Sequence, residues 1–231
     1  MYDTQLFMGK IKIDKIVRSN RKTVALIVTQ DATLVVRAPV FTPMEHIERL
    51  VSKKSSWIRQ KIAEVIKRPK PITKEFVGGE GFLYLGKFYE LHIADDTSSI
   101  IELKAGRLSI SKDFLPQARQ VIVQWYKEEA LRIIRKRCAW YAKITGYKPV
   151  SVKITNAQKR WGSCGPRGTL NFSWRLIMAP VEVIDYLVVH ELVHIGQPDH
   201  SRLFWTKVRC ILPDYKEREK WLKQNGRLLT L

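Results

Sequence analysis

The chain opens with three short runs rich in β-branched residues, at 10–17 (KIKIDKIV), 23–29 (TVALIVT) and 33–38 (TLVVRA). Arg18-Ser19-Asn20-Arg21 and Gln30-Asp31 separate them, which predicts an antiparallel meander. Thr42-Pro43 then opens a helix, with threonine as N-cap, proline at the first helical position and Glu45 in the first turn. Ile47, Leu50, Val51, Trp57, Ile58, Ile62 and Val65 recur at helical spacing, so one long helix is expected. Lys53, Lys54, Arg59, Lys61, Lys67 and Arg68 fill the other positions as a solvated face. A loop from Lys70-Pro71 to Gly81 follows. Two hairpins come next, turning at Gly86-Lys87 and at Ala105-Gly106. His92 lies in an alternating strand and reads as structural.

Near Pro116 the period changes. Val121, Trp125, Ala130, Ile133, Ile134, Cys138 and Tyr141 make an apolar stripe on a long helix that Gly146 ends. Trp125-Tyr126 and Trp140-Tyr141 are adjacent pairs that cannot share a face, so they read as core and boundary. Residues 150–155 and 168–175 read as strands, with Arg160–Cys164 as a further extended segment and Gly165–Gly168 as a turn. Pro180 and Glu182 open an apolar helix that runs to Ile195. Two short helices follow, 201–211 and 215–224. The expected class is α+β. A β-rich N-terminal module with one long helix (1–112) precedes a helix-rich C-terminal module with a small sheet (113–231).

Composition changes this picture in one respect. The 231 residues are 45% hydrophobic and 27% charged, as in ordinary globular proteins, but the net charge is +19. Such charge attracts polyanions, so a nucleotide or nucleic acid is a candidate partner. Cys138, Cys164 and Cys210 are few, odd in number and far apart, which argues against a disulfide framework. MYDTQLFMGKIKI has no long apolar core and carries Asp3, so no signal peptide is expected. No apolar run reaches the roughly 18 residues of a membrane span. A cytoplasmic, membrane-free protein is the expectation. The oligomeric state is not legible.

The helix from Val181 carries the chemistry. His190-Glu191-Leu192-Val193-His194 is an HExxH motif, and His200 follows six residues later. Residues i and i+4 share a helix face, so two imidazoles can reach one ion, with Glu191 beside a bound water. Zinc favours three protein ligands and an open fourth position. Such triplets also arise by chance on surface helices. Here the surrounding helix is mostly apolar, where an unpartnered ionisable group is costly. Gly196 and Pro198 end the helix and let His200 turn back. Three of the five histidines fall within these eleven residues. Cys164 is a tempting fourth ligand, but a closed site would exclude the catalytic water. The strand before the helix offers an edge on which an extended peptide can pair.

The segments RWGSC, NFSWRLIMAPVEVIDYLVVHELVHIGQPDHSRLFW and PDYKEREKWL closely resemble the YgjP-like metallopeptidase family. RSNRKTVALIV and FLYLGKFYEL resemble that family's front half. The resemblance implies a zincin-type C-terminal domain. It also implies Zn2+ held by His190, His194 and His200, with Glu191 as catalytic acid/base. SprT-like and WLM proteases, which act near DNA, are similar at greater distance. Two departures from better-known zincins stand out. The metzincin glycine position is Gln197, with glycine one residue earlier at Gly196, and no Met-turn follows. In a gluzincin arrangement Glu217 or Glu219 would replace His200 as third ligand. His200 is preferred because it follows the helix stop directly.

A zinc metallopeptidase acting on a peptide or protein is therefore the leading reading. Arg160, Arg202 and Tyr215 are candidates for oxyanion or substrate contacts. The runner-up is a nucleoside triphosphate pyrophosphatase using the same metal, an activity associated with members of the resembled family. No P-loop and no carboxylate cluster for magnesium accompanies it. A third reading is a basic nucleic-acid-associated protease or binding protein.

Overall fold

A computed structural model describes residues 11–29, 31–67, 73–95 and 99–231. The N-terminal decapeptide, Gln30, Arg68 and Lys70-Pro71, which figure in the expectations above, lie outside the described residues. The class is α+β, and the chain forms two compact units, Met1–Pro69 and Lys70–Leu231.

In the first unit, β1 (Lys15–Ser19), β2 (Ala25–Val28) and β3 (Leu34–Pro39) form one sheet in the order β1-β3-β2. Only β2 and β3 pair antiparallel; β1 runs parallel to β3, so the expected meander is corrected. Polar contacts at both ends fix that register. Asp14 donates its amide to the Leu34 carbonyl at 3.0 Å, and its carboxylate accepts the Leu34 amide at 2.6 Å. At the other end the Arg18 guanidinium donates to the carbonyls of Val40 and Thr42, each at 2.8 Å. The expected long helix is two, α1 (Met44–Lys53) and α2 (Ser55–Ile66), with Lys54 between them at φ −102°, ψ 13°. The five polar residues from Ser52 to Ser56 leave nothing apolar to bury across the break. Pro43, not Thr42, takes the N-cap position. Leu34, Val36 and Ala38 meet Ile47, Val51 and Ile58 in this unit's core.

Among the described residues the second unit holds two sheets. Strands β4 (Gly81–Tyr84), β5 (Lys87–Ala94), β6 (Ile101–Lys104) and β7 (Arg107–Ser111) form one, in the order β4-β5-β7-β6. Both hairpins turn through two residues of positive φ, Leu85-Gly86 at 48° and 79°, one residue earlier than the expected Gly86-Lys87, and Ala105-Gly106 at 50° and 78°. Positive φ at both central positions matches the twist of the flanking strands. This sheet shares one core with the following helices: Phe82, Leu91, Leu108 and Ile110 are buried with Ile122, Tyr126, Ile184 and Val188. The module boundary expected near residue 112 thus falls inside the second unit. The Leu85 and Gly86 amides bond the carbonyls of Ile177 and Met178 at 2.8 and 3.1 Å, seating the hairpin beside Pro180.

Helix α3 (Ala118–Thr145) ends at Gly146, whose φ is +73°. Its buried stripe runs through Ala118, Ile122, Tyr126, Ala130, Ile134, Cys138 and Tyr141. Val121, Trp125 and Ile133 border that stripe, and Trp140 is exposed. The second sheet has the order β8-β10-β9, from β8 (Ser151–Thr155), β9 (Gly162–Cys164) and β10 (Thr169–Ser173). Helices α4 (Val181–Val193), α5 (Arg202–Ile211) and α6 (Tyr215–Asn225) complete the unit. Apolar residues lie all around α4, as in a helix enclosed by protein. Its one buried aspartate, Asp185, is bound by α3. Arg137 donates to both carboxylate oxygens at 2.5 and 2.6 Å, and the Tyr141 hydroxyl donates at 3.1 Å. Among the described residues no helix is long and apolar enough to cross a membrane.

Candidate metal centre

Helix α4 presents His190 and His194 on one face, one turn apart, and His194 stands at the helix C-cap. The chain then turns. The Gly196 and Gln197 amides both bond the Val193 carbonyl, at 3.1 and 3.0 Å. The Gln197 side chain donates to Asp199 at 2.7 Å and to Ser201 at 3.3 Å, which folds the turn onto itself. Gly196 is required here for space. A Cβ at this position would lie 2.5 Å from the Tyr147 ring, which covers the turn. Lys207 of α5 donates to the Tyr147 hydroxyl at 3.0 Å. The shift of glycine from position 197 to 196 is therefore matched by an aromatic ring from the α3–β8 connection.

This turn brings His200 back. The three Nε2 atoms are 3.2 Å (His190–His194), 3.1 Å (His194–His200) and 3.0 Å (His190–His200) apart. Tetrahedral bonds of about 2.0–2.1 Å to one zinc would set nitrogens about 3.3 Å apart, so the donor set fits such an ion. Among the described residues these histidines form the one cluster of His, Cys, Asp or Glu able to hold a metal. Glu217, Glu219 and Cys164 are not part of it. Glu219 instead pairs with Lys223 at 2.6 Å.

The rings are held in two ways. His194 Nδ1 donates to the Gln197 carbonyl at 3.0 Å, which fixes the tautomer and leaves the Nε2 lone pair facing the cluster. Among the described residues His190 Nδ1 has no hydrogen-bond partner, so packing sets that ring's orientation. Fully buried Phe204 lies under all three imidazoles, with centroids 4.9, 4.5 and 4.9 Å from His190, His194 and His200. Burial, then the neighbouring His194 and His200, pushes the His190 imidazole down to about 3. Burial also lowers that of His194. Both effects favour the neutral, metal-binding form. Sequence reasoning missed Phe204. Its only signal is its place four residues after His200, on the first turn of a helix.

Glu191 lines the same cleft as the three histidines. It is 5% exposed, and burial pushes its carboxyl up to about 7, with Arg160 pulling the other way. Strand β9 lies against it. The Trp161 carbonyl accepts from Ser173 and the Gly165 amide donates to Thr169, each at 2.8 Å, so the ladder alternates from there. Gly162 and Cys164 therefore turn their amides and carbonyls away from β10, along the sheet edge. A cleft of about 640 Å3 is bounded by β9, the Gly165–Gly168 turn, Ile195, Pro198, Glu191 and the three histidines. Cys164 lines it, half-buried, and burial raises its thiol pKa.

Of the other candidates, Arg160 is exposed and its charge reaches Glu191. Tyr215 is buried and stacks on Trp205, 5.4 Å between centroids, one ring removed from His190 and His200. Arg202 is exposed at the start of α5.

The family model of the YgjP-like metallopeptidase domain matches residues 22–225. The chain belongs to this family. The YgjP-like protein is accordingly a metallopeptidase, a metal-dependent hydrolase, and the family implies a divalent metal and a peptide or protein substrate. The crystal structure of the metallopeptidase zymogen of Pyrococcus abyssi abylysin is similar over 41% of this chain and 96% of that one, at 22% identity and a TM-score of 0.37. No curated protein matches the YgjP-like chain.

Proposed function

We propose that the metal is zinc, that His190, His194 and His200 hold it, and that Glu191 is the general base of peptide-bond hydrolysis. The observation that carries this reading is the triangle of Nε2 atoms, 3.0–3.2 Å on a side, in a cleft that also contains the Glu191 carboxylate. When bound, zinc supplies Lewis acidity that acidifies a water and polarises the scissile carbonyl. Glu191 accepts the proton of the attacking water and returns it to the leaving amine. Burial strengthens its hold on that proton between the two transfers. The outward amides and carbonyls of Gly162 and Cys164 accept an extended peptide as an added strand beside the site. Arg160, whose charge already reaches Glu191, is the candidate contact for the developing oxyanion.

The cleft lining favours a peptide over a nucleotide. Among the described residues its lining contains no lysine or arginine and only Arg160 acts on Glu191 from beside it, whereas a triphosphate calls for several cationic donors at its oxygens. A panel of casein, short peptides and nucleoside triphosphates, each with and without chelator, tests the substrate class. In the Glu191→Gln variant zinc should remain stoichiometric while kcat falls by about 10²–10⁴-fold. Full turnover in that variant would refute the base, and chelator-sensitive hydrolysis of triphosphates alone would refute the peptidase reading.

A further inference from the structure

Strand β9 faces Glu191 of α4 with a residue that has no side chain. A Cβ at Gly162 would stand 2.4 Å from Glu191 Oε1 and 2.9 Å from both its Cδ and its Cγ. These are its three nearest heavy atoms, and all belong to Glu191. The Gly162 backbone is not in the left-handed region, so conformation does not demand glycine here. The next two residues of β9, Ser163 and Cys164, both carry side chains. The demand for glycine therefore comes from the carboxylate. We propose that Gly162 is a positioning residue: its bare Cα lets β9 close onto Glu191 and hold the carboxylate toward the cleft. The inference rests on Glu191 being the general base.

Two features decide how a methyl group at this position would be accommodated. Helix α4 buries ten of its thirteen residues and resists translation. The atoms met by the new Cβ are the far end of a flexible side chain, which can turn about its own bonds. Moving Oε1 from 2.4 Å to ordinary contact shifts it by about 1 Å, and a misplacement of that size can cost about 10²-fold in rate. The cost falls on catalysis, with metal binding and stability spared.

The test uses the full-length, zinc-loaded chain and a fluorogenic peptide that the wild type cleaves. Gly162→Ala should lower kcat by about 10²-fold, leave KM within about twofold and retain one zinc. Its Tm should stay within about 3 °C of wild type. Glu191→Asp, one methylene shorter, should cost less in the Gly162→Ala background than in the wild type, because the two changes act on one carboxylate. In the metal-free wild type, a nuclear Overhauser contact between Gly162 Hα and Glu191 Hγ reports the approach without any substitution. A kcat for Gly162→Ala within about threefold of wild type, losses that simply multiply, loss of zinc, or absence of the Overhauser contact would each overturn the proposal. Full activity of Glu191→Gln would instead remove the general base itself. An inactive Glu191→Gln beside an active Gly162→Ala would remove the positioning role alone.

Discussion

The bond between α3 and α4 tests how the helix carrying the candidate ligands is anchored. Asp185→Ala removes the acceptor of two guanidinium bonds and of the Tyr141 hydroxyl. Truncating one partner of a buried ion pair typically costs about 3–5 kcal/mol, because the other charge is left uncompensated. The Arg137 side chain is 27% exposed, so water reaches the stranded guanidinium and the loss is reduced to about 2–3 kcal/mol. For a domain of this size about 1 kcal/mol moves Tm by roughly 2–4 °C, giving a fall of about 4–12 °C. Asp185 lies five residues before His190, on another face of the helix, so zinc stoichiometry should not change. Scanning calorimetry of the metal-free protein reads the first effect, and atomic absorption of the loaded protein reads the second. The double variant Arg137→Met/Asp185→Leu should recover most of the loss, since apolar residues of similar volume can replace a buried pair. A fall of less than 2 °C, or a double variant no more stable than Asp185→Ala, would refute the reasoning.

Two further outcomes concern the rings around the cluster. Phe204→Ala opens a cavity beneath all three imidazoles and should cost about 3–5 kcal/mol, with zinc affinity falling by about 10–100-fold in a chelator competition. Gly196→Ala drives a methyl into the Tyr147 ring and should cost about 1–3 kcal/mol by denaturant unfolding, with much of that restored when Tyr147→Ala is added.

Much of this fold was legible because local chemistry decides it. Gly86 and Gly106 mark two-residue hairpins since only a turn of positive φ fits the strand twist. Gly146 marks the end of α3 for the same reason. The HExxH spacing places His190 and His194 on one helix face whatever surrounds them. What was not legible depends on distant partners. The parallel pairing of β1 with β3 rests on Asp14 and Arg18 reaching residues 20 and 24 positions away. The break at Lys54 lies within a helical period that continues on both sides, so periodicity alone runs through it. The single core shared by the hairpin sheet and α4 arises from Gly86 docking beside Pro180, a contact across some ninety residues. At the candidate site, the motif residues were readable. Tyr147 and Gly162 were not, because their partners, Gly196 and Glu191, are remote in sequence; Phe204 lies near its histidines but reads as an ordinary apolar helix position.

The enclosure of α4 has a consequence for amide exchange and metal loss. Val188, Val189, Leu192 and Val193 surround His190 and His194 with fully buried side chains. Their amides should exchange with solvent only when the whole unit unfolds, at the slow end of the protein's range. His200 sits on an exposed turn beyond the helix end, held by the Gln197–Asp199–Ser201 contacts and by Phe204 and Trp205 against its ring, all weaker constraints than the buried helix. An ion held by these three imidazoles would thus be tethered by two arms on the most slowly opening segment and one on a faster one. Its departure would begin at His200, and its lifetime would follow the opening of that turn.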